Sequence, residues 1–138
     1  QYIAGMGFSN VGLGIVHSMA HPLGAFYDTP HGVANALLLP YVMEYNAESP
    51  SRAKYLDIAR AMGVKTDGMS VDEGVRAAID AVKALSLSIR IPQRLNELRV
   101  KEEDIPALAV AAFNDVCTGG NPRPTSVEEI ERLYHIAY

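Results

Sequence analysis

Residues 12–35 read GLGIVHSMAHPLGAFYDTPHGVAN, and this stretch decides the fold that we expect. Its apolar residues recur at helical spacing and predict a first helix that begins at residue 9 or 10 and ends near residue 27. Pro22 lies inside this helix and has no backbone N–H to donate, so we expect a bend there.

Residues 28–30, Asp-Thr-Pro, predict the start of a second helix, because a capping side chain is followed by a proline at the first helical position. This helix is predicted over residues 31–45. Its apolar side chains cover most of the helix circumference, which indicates a central position in the fold.

Helical patterns also dominate the rest of the chain. Two further helices are predicted over residues 51–62 and 104–116, and a short helical turn over residues 94–98. Two more are predicted from their starts: one begins at a capping box formed by Ser70 and Glu73, and the last begins at the capping residues Ser126 and Glu129. No run of alternating residues predicts a strand. The expected fold is therefore all-α, a single helical bundle that forms one domain over residues 1–138.

Composition excludes several classes of function. The chain has 138 residues, of which 49% are hydrophobic and 20% charged, as is typical of folded domains. Its net charge of −4 argues against nucleic acids and anionic membranes as partners, because both require a basic surface. Cys117 is the single cysteine, so no internal disulfide can form, and we expect a reducing, cytoplasmic location.

The first 27 residues carry no charged side chain, which raises the alternative of a membrane-associated helix. This alternative is unfavourable, because the segment contains two histidines, five glycines and Pro22. A signal peptide is not expected either, because no basic residue flanks the segment. We expect instead a helix buried inside a larger enzyme. The opening Gln1, in place of a methionine, supports the expectation of a fragment.

Three of the four histidines, His17, His21 and His31, lie within fifteen residues of one another. The first two are four residues apart and share a helix face, and the predicted turn can bring His31 to the same point. Imidazoles that converge from two helices suit a borderline metal such as Fe²⁺ or Zn²⁺. The alternative is three core histidines that hydrogen-bond to neighbouring side chains, of which few are at hand: Asn10, Ser18 and Asp28.

Known motifs do not complete this site. Ser18 replaces the glutamate of the metalloprotease motif, and Asp28 is the single acidic residue that we expect nearby. Residues 5–10 begin like a dinucleotide-binding fingerprint, but Asn10 stands where the third glycine belongs and no strand precedes it. The metal site is therefore expected to be incomplete within this chain, and a nucleotide site is not expected.

Residues 12–27 and 30–35 resemble the histidine signature of the iron-containing (group III) alcohol dehydrogenases, in which H-x₃-H-x₂-G is followed by P-H-G ten residues later. The resemblance continues through residues 57–60, 101–109 and 115–123. It implies a two-domain enzyme: an α/β domain that binds NAD(H), absent here, and a helical domain that binds a divalent metal, formed by residues 1–138.

The resemblance also implies roles for five residues. His17 and His31 match two of the four metal ligands, and the other two, an aspartate and a histidine, are expected upstream of Gln1. His21 matches a non-ligating histidine beside the nicotinamide and is the candidate proton shuttle. Phe8 and Cys117 match positions that line the pocket where nicotinamide and substrate meet.

The implied activity is the NAD-dependent interconversion of small alcohols or diols with their aldehydes, with Fe²⁺, or alternatively Zn²⁺, as the metal. The intact protein is expected to be a homo-oligomer. The isolated chain is expected to be inactive and to expose an apolar surface around Phe8, Met19 and Leu23. The alternative function is a structural or binding module that keeps the histidines only for packing.

Overall fold

The computed structural model describes residues 2–138, and it is helical throughout with no strand in that range. The all-α prediction is therefore confirmed. The α-helices are α1 (Tyr2–Val11), α2 (Ile15–Tyr27), α3 (His31–Asn46), α4 (Tyr55–Ala61), α5 (Val71–Ser88), α6 (Ile105–Phe113) and α7 (Val127–Ala137). Short 3₁₀ helices cover Pro50–Lys54, Leu95–Leu98, Glu102–Asp104 and Val116–Gly120.

The predicted first helix is in fact two helices. α1 ends at Val11 and α2 begins at Ile15, so the prediction of one continuous helix over this segment is wrong. Gly12 adopts a φ of +83°, a left-handed conformation that glycine reaches without a steric penalty and that ends α1. Pro22 lies inside α2, as predicted, and is buried.

The turn between α2 and α3 is closed by backbone hydrogen bonds. Asp28 has a φ of 52°, and its N–H donates to the carbonyl of Gly24 at 3.1 Å, while the N–H of Thr29 donates to Leu23 at 3.3 Å. Asp28 therefore ends α2, and no side chain caps α3, contrary to the prediction of a capping side chain before Pro30. Pro30 is itself the residue before the first turn of α3.

α2 packs against α3 and α6, and α6 packs against α7, so these four helices enclose the main core. Its largest fully buried side chains include Ile15, Met19, Leu23, Leu38, Leu108, Ile130 and Tyr134. The hydroxyl of Tyr134 donates to the carbonyl of Met19 at 2.6 Å, which ties α7 to α2. The expected apolar surface is thus wrong for Met19 and Leu23, which are buried, whereas Phe8 is 49% exposed.

The other predicted elements differ mainly at their ends. The capping box at Ser70 and Glu73 and the Ser126 cap are both present, as predicted. The helix predicted over residues 51–62 begins as a 3₁₀ turn and becomes α-helical only at Tyr55. The helix predicted over residues 104–116 stops at Phe113, and the carboxylate of Asp104 accepts a hydrogen bond from the hydroxyl of Tyr27 instead of capping α6.

α1 differs from the other α-helices in burying none of its side chains. Its large apolar residues Tyr2, Ile3, Met6, Phe8 and Val11 are all exposed. None of the helices within residues 2–138 combines the length and the apolar character that crossing a bilayer requires.

Gly120 offers a test of the packing that holds the Val116–Gly120 turn against the segment between α1 and α2. A Cβ atom at Gly120 would overlap the backbone carbonyl oxygen of Leu13, whereas one at Gly119 would meet no atom within 4 Å. We expect Gly120→Ala to lower the free energy of unfolding by about 1–3 kcal/mol, as overpacked sites do. Urea unfolding followed by circular dichroism measures this change. Gly119→Ala is the matched control, and equal stability of the two variants would contradict the packing.

Candidate metal centre

Three imidazoles converge at the junction of α2 and α3. α2 carries His17 and His21 one turn apart, and α3 begins with His31. The ring centroid of His31 lies 5.2 Å from the ring centroid of His17 and 5.2 Å from that of His21. The centroids of His17 and His21 are 6.1 Å apart. One nitrogen of each ring lies within 4.8 Å of the others, a spacing that a single metal ion can bridge. The turn thus brings together the three histidines as the sequence predicted.

His17 has the properties of a neutral ligand. Burial, followed by the neighbouring imidazoles of His31 and His21, lowers the pKa of His17 below its usual value. Its Nδ1 is buried and has no hydrogen-bond partner among residues 2–138. A neutral imidazole with an unpaired buried nitrogen requires a cation or a further polar group, so the donor set fits Fe²⁺ or Zn²⁺.

Asn35 orients His31 and was not predicted. Its Nδ2 atom lies 3.1 Å from Nε2 of His31 and donates to the backbone carbonyl of the same residue at 2.9 Å. The two residues are four apart on α3, so helical spacing was the signal that could have identified this pair. The contact holds the imidazole in place until that nitrogen takes another partner.

The acidic residue at the site is Asp115, which the sequence did not indicate. Its Oδ2 lies 2.8 Å from Nδ1 of His21, and its Oδ1 accepts from the N–H of Cys117 at 2.8 Å. Asp28, the acidic residue expected there, is exposed at the end of α2 and belongs to no cluster of metal-binding side chains among the described residues. The expectation that Asp28 is the single acid nearby is therefore wrong.

The other expected partners of the imidazoles are also engaged elsewhere. Ser18 is fully buried and accepts a hydrogen bond from the hydroxyl of Thr118 at 2.8 Å. Asn10 donates to the carbonyl of Met6 within α1. Neither side chain hydrogen-bonds to a histidine, so the hydrogen-bonding alternative for the cluster has only Asp115 and Asn35 to draw on within residues 2–138.

Phe8 and Cys117 line one cavity of about 380 Å³, together with Ser9, Gly12, Leu13, Val116 and Gly120. Burial, and then the carboxylate of Asp115, raises the pKa of the Cys117 thiol, so the thiol is protonated and uncharged at neutral pH. A larger cavity of about 840 Å³ reaches His17 and Asn35 from the segment between α1 and α2. Both volumes lie within or near the range of small-molecule sites.

Residues 1–138 match the model of the C-terminal part of the Fe-containing alcohol dehydrogenase family. The chain therefore belongs to this family. It is 64% identical over 138 residues to lactaldehyde reductase of Escherichia coli (strain K12), which covers all of this chain and 36% of that protein. It is also 38% identical over 133 residues to the NAD-dependent methanol dehydrogenase of Bacillus methanolicus, covering 96% of this chain and 35% of the relative.

The fold agrees with that of a solved alcohol dehydrogenase. The structure of an alcohol dehydrogenase from Oenococcus oeni superposes with a TM-score of 0.93 at 42% identity, over 98% of this chain and 35% of that one. The chain thus spans about a third of the length of the proteins it matches.

The cluster predicts that the 138-residue chain alone binds a divalent metal, but more weakly than the full-length protein does. Histidines supply no negative charge, and a carboxylate ligand contributes the strongest attraction to the cation. Isothermal titration with Zn²⁺ measures both affinities. We expect His17→Ala to abolish binding to the chain and His135→Ala to leave it unchanged, since His135 belongs to no cluster of metal-binding side chains among the described residues.

Nanomolar binding by the isolated chain that is lost in His17→Ala would contradict this prediction, because it would require a further strong ligand within these residues. Binding that survives in His17→Ala would place the metal on other side chains, such as His21, Asp115 and Cys117, whereas absence of binding by the unaltered chain would favour histidines that serve only for packing.

Proposed function

We propose that the chain is the metal-binding part of an NAD-dependent, Fe²⁺-containing alcohol dehydrogenase that also reduces aldehydes. The observation that carries the proposal is the convergence of His17, His21 and His31 in a member of the Fe-containing alcohol dehydrogenase family. The proposed substrates are small alcohols or diols, such as 1,2-propanediol with its aldehyde partner lactaldehyde. The high identity to a lactaldehyde reductase supports this choice.

His17 and His31 are the proposed metal ligands. They come from two different helices and lie close enough for one cation. A carboxylate and a further histidine from the longer protein would complete the coordination set, because two imidazoles alone leave a divalent cation under-coordinated. When bound, Fe²⁺, or Zn²⁺ in its place, acts as a Lewis acid that stabilises negative charge on the substrate oxygen.

His21 is the proposed proton shuttle. Its ring stacks on His31 at 5.2 Å and its side chain is 41% exposed, so it is adjacent to the proposed metal and still reachable from solvent. A neutral imidazole has one nitrogen that donates a proton and one that accepts a proton, so it can pass a proton between the substrate hydroxyl and water.

Phe8 and Cys117 are proposed to form one wall of the pocket for nicotinamide and substrate. They line the same cavity, and both present uncharged surfaces, an aromatic ring and a protonated thiol. Such a wall excludes water from the reacting carbon and favours a small substrate.

NAD(H) is proposed to be held mainly by an α/β domain outside these residues. No strand occurs within residues 2–138, and the glycine pattern at residues 5–10 lies on an α-helix rather than in a strand-to-helix turn. When bound, the nicotinamide supplies or accepts the hydride. A relative named as NAD-dependent supports the choice of dinucleotide.

The proposal predicts that the 138-residue chain by itself catalyses no aldehyde reduction, whereas the full-length protein does. Hydride transfer needs the nicotinamide within about 3–3.5 Å of the reacting carbon, and one wall of a cleft cannot impose that distance. Purified chain and full-length protein are each incubated with Fe²⁺, NADH and lactaldehyde, and NADH absorbance is followed. NADH consumption by the chain above a metal-free control would reveal a cofactor site within these residues.

In the full-length protein, His31→Ala and His21→Ala are predicted to fail in different ways. His31→Ala loses the metal and with it all turnover. His21→Ala keeps the metal, but its turnover rate falls by a factor of about 10²–10⁴, the usual effect of removing a positioned acid–base group. Metal analysis beside steady-state rates distinguishes them. Equal metal loss in both variants would make His21 a ligand and not a proton shuttle.

A further inference from the structure

His21 is anchored by a carboxylate that comes from a distant part of the chain. Nδ1 of His21 and Oδ2 of Asp115 are 2.8 Å apart, although the residues are separated by 94 positions. An ionised carboxylate has no proton to donate, so the imidazole must be the donor. The contact therefore places a proton on Nδ1 of His21 and leaves Nε2 unprotonated in the neutral ring.

Asp115 is itself held in place and ionised. Its other oxygen accepts from the N–H of Cys117 at 2.8 Å, which caps the Val116–Gly120 turn, and its side chain is only 19% exposed. Burial alone would raise the pKa of this carboxyl, but hydrogen bonds from His21 and Cys117 outweigh it and the pKa is lowered. The carboxylate is thus a fixed acceptor and not a mobile surface charge.

The ring of His21 needs such an anchor. Its side chain is 41% exposed, and its closest aromatic contact is the stacked face of His31, with 19° between the ring planes. Stacking restrains the tilt of a ring but does not distinguish its two nitrogens. Among the described residues, Asp115 is the one hydrogen-bond partner of this imidazole, so it alone can select the tautomer.

We propose that Asp115 is a positioning residue, which holds the His21 ring in one orientation and in the Nδ1–H tautomer so that Nε2 is the nitrogen that exchanges a proton with the substrate. The tautomer follows from the hydrogen bond alone, whereas the consequence for turnover rests on the proposed function. The same carboxylate joins the proton shuttle to the turn that carries Cys117, so the shuttle and the pocket wall are aligned by one side chain.

Substitutions at Asp115 can separate this role from capping of the turn. Asp115→Asn keeps an oxygen for the N–H of Cys117 but turns an amide NH₂ group towards His21, which favours the opposite tautomer. Asp115→Ser is the matched control. Its hydroxyl can still cap the turn, as Ser and Asp side chains both do, but it is too short to reach His21.

The first measurement is the tautomer itself. Long-range ¹H–¹⁵N spectra of the ¹⁵N-histidine-labelled, metal-free 138-residue chain at pH 8 report which ring nitrogen carries the proton, and His21→Gln assigns the His21 signals. We expect Nδ1–H in the wild type, Nε2–H in Asp115→Asn, and a mixture in Asp115→Ser. An Nε2–H tautomer in the wild type, or an unchanged tautomer in Asp115→Asn, would overturn the proposal.

The second measurement is kinetic and uses the metal-loaded full-length protein. Asp115→Asn is expected to lower kcat by about 10²-fold or more, the range for a misplaced acid–base group, with unchanged metal content and a smaller effect on KM. A wild-type kcat in Asp115→Asn would overturn the positioning role. Absence of dehydrogenase activity in the wild type would contradict the proposed function instead, and the tautomer would still decide the role of Asp115.

Discussion

Asp28 adopts a left-handed backbone conformation, and the turn that it closes brings the end of α2 against the start of α3. The geometry of the candidate site depends on this turn. It sets the position of His31 relative to His17 and His21, and a cation can be shared only if their nitrogens stay within one coordination sphere. Aspartate tolerates this conformation better than most residues, because its short polar side chain can interact with the local backbone.

The core keeps this turn rigid by dividing the surface of α2 into two faces. Ile15, Met19 and Leu23 recur every four residues and are fully buried against neighbouring helices. His17 and His21 recur at the same spacing but two positions out of phase, so they lie on the opposite face, where His17 lines the larger cavity. Apolar burial on one face of α2 therefore positions the histidines on the other face.

Packing between distant segments then places further polar side chains beside the histidines. α6 packs on α2, and the capped turn after α6 presents Asp115 to His21. The same turn carries Cys117, which shares a cavity with Phe8. The site is assembled from three separate segments of the chain, and backbone hydrogen bonds hold each segment in its local structure.

The sequence by itself determined the helical fold, most helix positions, and the convergence of the histidines. Periodicity and capping depend on residues within about one turn of each other, so the Ser70 and Ser126 caps and α3 could be read directly. The residues that resemble the family signature also indicated the family, and the match of the family model over residues 1–138 confirms it. The tertiary structure alone decided that Met19 and Leu23 are buried and that Asp115, not Asp28, is the acidic residue beside the histidines. Each of these depends on contacts between segments far apart in the chain, and no local pattern of residues encodes which of two acidic side chains a folded core will bring to an imidazole.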